Sequence, residues 1–168
     1  MVTRALAVGL ALVVGHAKGF HKRVLITIDA KGIEALVLMD VDESPKALAL
    51  RAQADADHDG TLSEAEVAKL KATLAALARP LGVWVSGFPL ELKELAPAKV
   101  DLRREKKVSE VGLSIGLALG AKFPGAVIRG MELKVESESP DGSGVPVEVH
   151  PPTGEVTSGE VSLARGGT

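Results

Sequence analysis

The chain has 168 residues, 46% hydrophobic and 25% charged, with a formal net charge of −2. That is enough apolar material for one packed domain and too little charge imbalance for a nucleic-acid surface. The absence of cysteine excludes disulfides, thiolate metal sites and cysteine nucleophiles, and the absence of asparagine removes N-linked glycosylation.

Residues 1–17 read as a secretory signal. Arg4 precedes an apolar run over 5–14, and Gly15, His16 and Ala17 put small residues where a signal peptidase cleaves. Ten apolar residues rise only about 15 Å as a helix, half the hydrocarbon thickness of a bilayer. The expected mature chain has no membrane span and is secreted or periplasmic. Residues 18–165 then form a single β-rich domain, and 166–168 a flexible Gly-rich tail.

Val24, Ile26 and Ile28 predict a strand over 23–29, and Ala30-Lys31-Gly32 a turn. Alternation from Ile33 through Ala35, Val37 and Met39 to Val41 predicts the returning strand. Ser44 and Pro45 read as the N-cap and first position of a short helix over 45–54, whose Leu48, Leu50 and alanines give it a thin apolar face. A second helix over 64–78 carries Val67, Leu70, Leu74 and Leu77 on one stripe and stops before Pro80.

Between the helices lies the most specific stretch of the chain, residues 55–66. Carboxylates stand at its positions one, three and five (Asp55, Asp57, Asp59), glycine at six (Gly60), and a backbone carbonyl donor at seven (Thr61). An apolar residue follows at eight (Leu62), serine at nine (Ser63) and glutamate at twelve (Glu66). A hard divalent cation takes six to eight oxygens at roughly 2.3–2.6 Å, so one tight loop must supply donors from all sides. Gly60 allows the sharp turn, and Leu62 points inward to a core or a partner loop. Ser63 and Glu66 also spell the Ser-x-x-Glu capping box that opens a helix. A solvated acidic turn would share this composition but not its ordering.

After Pro80 the texture is that of strands. Val83, Trp84 and Val85 are followed by a turn at Gly87-Phe88-Pro89 and by Leu90 and Leu92 alternating with charge. The mixed-sign run 102–107 predicts a solvated loop or edge strand. Val111, Leu113, Ile115, Leu117 and Leu119 alternate with Gly112, Ser114, Gly116, Ala118 and Gly120, a strand whose small face lets something approach closely. Met131, Leu133 and Val135 predict a further strand, 140–144 a turn, and Val145, Val147 and Val149 another strand. A turn at 151–154 and an edge strand within 156–163 complete the set. The fold class expected is α+β: an antiparallel β-sandwich-like domain with a helix-loop-helix inserted at 45–79.

Residues 55–66 with their two helices resemble the EF-hand calcium-binding family. The resemblance implies Ca2+ as the ion, held by Asp55, Asp57, Asp59, Thr61, Ser63 and Glu66. More loosely, the order of signal, hairpin, Asp-rich loop, Ala-rich helix and β-region is similar to the extracytoplasmic part of HupE/UreJ-type membrane proteins. The sequence departs from these in having no following transmembrane helices, so their role in metal handling is not carried over. The expected function is an exported, non-enzymatic calcium-binding protein in which the ion is structural. The alternative is a calcium-dependent sensor or adhesion module that recognises a protein partner, with a homodimer through Leu62 as one form. The sequence shows no second such loop, since Asp40 and Asp42 lead into Glu43, Ser44 and Pro45 without the third aspartate or the glycine. His21, His58 and His150 are dispersed, and no nucleophile-base-acid pattern emerges.

Overall fold

The computed structural model describes residues 19–123 and 132–150 and the backbone of the strand Val161–Leu163. The expected signal at 1–17, the turn at 151–154 and the tail at 166–168 lie outside the described residues, as do Met131 and the first part of the strand expected within 156–163.

The fold is α+β. Strands β1 (Phe20–Ile28) and β2 (Gly32–Val41) form the expected hairpin, followed by helices α1 (Pro45–Ala54) and α2 (Glu64–Ala78). Seven further strands come next: β3 (Leu81–Val85), β4 (Phe88–Pro89), β5 (Lys93–Asp101), β6 (Leu113–Lys122), β7 (Leu133–Ser137), β8 (Val147–His150) and β9 (Val161–Leu163). One sheet has the order β5-β6-β2-β1-β8 and the other β4-β3-β7-β9. Most neighbours are antiparallel, but β8 joins β1 and β9 joins β7 in parallel. Parallel partners need a long crossover, and here the intervening chain supplies it, so strictly antiparallel sheets were too simple an expectation.

Period-two patterning accounts for the inner face of the larger sheet. Val24 and Ile26 lie opposite Val37 and Ala35. Val37 and Met39 in turn lie opposite Leu117 and Ile115. All of these are buried, and α2 lays Leu70, Leu74 and Ala78 into the same apolar cluster. The small face of β6 meets the chain's own side chains: a Cβ on Gly120 would stand 2.9 Å from Leu95 Cδ2, and one on Gly116 3.4 Å from Leu38 Cδ2. Gly32 is tighter, since a Cβ there would stand 2.1 Å from the Ala121 carbonyl oxygen. Gly32→Ala is therefore expected to lower stability by about 1–3 kcal/mol, measured as an earlier urea midpoint with unchanged slope.

Two local expectations change, and one buried charge comes without any expectation from the sequence. Leu90 and Leu92 lie outside a strand, and β5 begins only at Lys93. Its register against β6 shifts twice, between Glu94 and Ala96 and again between Ala96 and Lys99, which destroys the alternation that would announce a strand. Ser44 occupies the N-cap of α1, yet its hydroxyl donates to the Asp42 carbonyl at 2.9 Å instead of capping the helix. Finally Lys22 shares the inner face of β1 and is buried, its ammonium donating to the carbonyls of Pro80 at 2.6 Å and Glu138 at 2.9 Å.

Candidate metal centre

Helices α1 and α2 hold the acidic loop between them. The exit side is fixed by a complete capping box: Ser63 Oγ accepts from the Glu66 amide, and Glu66 Oε2 accepts from the Ser63 amide at 2.9 Å. Backbone amides inside the loop turn toward its carboxylates. Gly60 N–H donates to Asp55 Oδ2 at 3.1 Å, Asp59 N–H to Asp57 Oδ1 at 3.2 Å, and Thr61 N–H to Asp59 Oδ1 at 2.7 Å. Gly60 has φ 80° with open space where a Cβ would be, so glycine is required there by backbone conformation alone. His58 also takes a left-handed conformation, at φ 59°, and is exposed, as position four of such a loop should be.

These bonds gather Asp55, Asp57 and Asp59, so that one carboxylate oxygen from each lies within 4.8 Å of the others. Asp57 and Asp59 are exposed, whereas Asp55 is only 6% exposed. Its Oδ1 is buried with no hydrogen-bond partner in the structure. A buried carboxylate oxygen without a donor is costly, and close like charges add to that cost. Both costs fall if a cation sits among the three.

Glu66 forms the expected capping box with Ser63. It closes the loop, but its two oxygens are engaged: Oε1 accepts from Ala56 N–H at 2.6 Å, and Oε2 from the Ser63 amide and hydroxyl. These donors, led by the Ala56 amide and then Ser63, hold its carboxyl down at about 2. Ser63 donates its hydroxyl to Glu66, and Thr61 donates both its amide and its hydroxyl to Asp59. The three aspartates thus cluster, while Ser63 and Glu66 bond to each other.

What the sequence did not announce is the loop's neighbour. Leu62 N–H donates to the Lys106 carbonyl at 2.7 Å, and Val108 N–H donates to the Gly60 carbonyl at 2.9 Å. Thr61 and Lys107 are paired as an antiparallel bridge. Residues 102–111, which connect β5 to β6, therefore run beside the loop, and Leu62 is buried at the junction. The only signal of this in the sequence is the apolar Leu62 in an otherwise polar loop.

Among the described residues the histidines form no cluster: His21 Nε2 is 2.7 Å from Asp42 Oδ2, and His150 Nε2 is 3.2 Å from Glu148 Oε1. Among the described residues no helix is long and apolar enough to cross a membrane. In comparisons with known proteins, no family model, no curated sequence and no solved structure matches this chain.

Proposed function

We propose that the chain is an exported, non-enzymatic calcium-binding protein, with residues 55–66 as a single EF-hand-type site whose ion fixes the helix pair against the β-domain. The observation that carries this reading is Asp55, whose Oδ1 is buried without a donor and whose carboxylate clusters with those of Asp57 and Asp59. The donors are oxygens only, which suits a hard cation. Asp55, Asp57 and Asp59 would each contribute an oxygen, with the Thr61 carbonyl, Ser63 and Glu66 completing the set. Glu66 as a ligand exchanges some of its present donors for the ion. On the same reading the two sheets form a sandwich-like domain with the EF-hand as an insertion. One apolar cluster drawing on both sheets and both helices supports that.

The homodimer alternative has a specific obstacle. The backbone of Gly60 and Leu62, which a second loop would use for pairing, is already bonded to Val108 and Lys106 of the same chain. Calorimetric titration with calcium should show one site per chain, weakened at least tenfold in Glu66→Gln. Sedimentation of the same samples should report a monomer with and without calcium. Absence of binding heat would defeat the calcium reading, whereas calcium-dependent dimers would restore the alternative.

A further inference from the structure

The connection at 102–111 is held in a shape that chains avoid, by one buried cation. Arg103 and Arg104 are consecutive non-glycine residues at φ 52° and 62°, a left-handed conformation that crowds the Cβ. Arg51, in the last turn of α1, is fully buried. Its guanidinium donates to the carbonyls of Glu105 at 2.5 Å and Leu102 at 3.1 Å, with longer bonds to Val111 at 3.3 Å and Lys107 at 3.4 Å. Only a planar fork can serve so many acceptors spread over ten residues of backbone. The start of α1 grips the same connection, since Ser44 N–H donates to the Glu110 carbonyl at 3.0 Å.

Two features link this grip to the metal centre. Arg51 lies one turn before Asp55, and the Asp55 amide donates to the Arg51 carbonyl at 3.0 Å. The backbone that Arg51 organises then supplies both ladder bonds to Gly60 and Leu62, the residues that follow the three aspartates. The acidic loop is therefore shaped from two sides, through α1 directly and through 106–108.

We infer that Arg51 is a positioning residue for the ion loop, and that ion binding and ordering of residues 102–111 are one coupled equilibrium. This rests on the calcium reading above. By linkage, a connection that helps the loop bind must itself be stabilised when the loop is filled, by the same factor. Couplings of this kind typically span about 5–150-fold.

The test is amide hydrogen exchange on the full chain with calcium and with chelator, beside calorimetric calcium titration of the parent, Arg51→Lys and Arg51→Met. Calcium should slow exchange of the Val108 and Leu62 amides about tenfold or more, relative to the central β2 amide of Val37. Both variants should bind calcium about tenfold more weakly, because lysine keeps the charge but lacks the fork. Unchanged Val108 exchange in a parent that binds calcium would overturn the coupling and leave the metal site standing. Parent-like affinity in both variants would remove Arg51 from the positioning role. No binding heat in the parent would overturn the site and the coupling together. If neither variant folds, the parent's exchange at Val108 decides alone.

Discussion

Calcium at a hundredfold excess over its dissociation constant is expected to raise the thermal unfolding midpoint by roughly 5–10 °C. Such an excess stabilises a protein by about 2.7 kcal/mol when the ion binds only the folded form. Each kcal/mol moves the midpoint of a domain this size by about 2–4 °C. The informative control is Asp55→Asn, because it should reverse the ranking in chelator. The amide oxygen can still accept from Gly60 N–H, as Asp55 Oδ2 does now. The buried Oδ1 that lacks a donor is replaced by an NH2 group, a donor in a cluster whose other members, Asp57 and Asp59, are acceptors. Losing that cost and one of three crowded charges should make the metal-free variant more stable than the parent by about 1 kcal/mol. In calcium the order should invert, with the variant showing no change in midpoint. A variant less stable than the parent in chelator would mean that Oδ1 is not a burden awaiting a cation. An equal calcium response in both proteins would take Asp55 out of the site.

The parts of the fold that could be read in the sequence are those specified by side chains. Pro45, the Ser63 and Glu66 capping box and Pro80 bound the two helices because each acts on local backbone, and both helices have the expected limits. Alternation set the β1–β2 hairpin, since a one-residue slip would turn every buried side chain outward, whereas the pairing of β2 with β6 is a finding of the structure. The acidic loop was legible for the same reason: carboxylate, glycine and serine positions are side-chain chemistry. The connection at 102–111 was not. Its Arg103, Arg104, Lys106 and Lys107 side chains are exposed, as a solvated run should be. Its role lies in backbone carbonyls, which every residue possesses and no sequence displays. Arg51 was hidden by the complementary effect, a charged residue in a helix with a thin apolar face whose acceptors come from more than fifty residues away. The register shifts in β5 erased its pattern in the same way, by moving residues off the two-residue period.

Lys22 gives the second large effect, and the sequence did hold a hint of it, because it shares the parity of Val24 and Ile26 on β1. Its ammonium satisfies two carbonyls but is enclosed, and burial pushes its pKa down to about 8, with the charge of Glu138 opposing. The unfolded chain would hold that proton until near the ordinary lysine value of about 10.4. Below pH 8 both states are protonated, and the folded state carries the full cost of the buried charge. Between about 8 and 10.4 the unfolded state binds more protons than the native one, so stability must rise with pH. A tenfold difference in proton affinity between the two states corresponds to about 1.36 kcal/mol. After allowance for the two carbonyls and for partial solvent access, a gain of about 1–3 kcal/mol is expected across that window. The measurement is unusually clean here because the chain has neither tyrosine nor cysteine, so lysines and the terminal amine are the groups left to titrate. Urea midpoints for the parent should therefore climb from about pH 8 to about 10.4, and those of Lys22→Met should not. The Met variant leaves the Pro80 and Glu138 carbonyls without their present donor, so its absolute stability is ambiguous but its slope is not. Parallel slopes for the two proteins would place the Lys22 proton in water in both states and would dissolve the link it makes between β1 and the ends of α2 and β7.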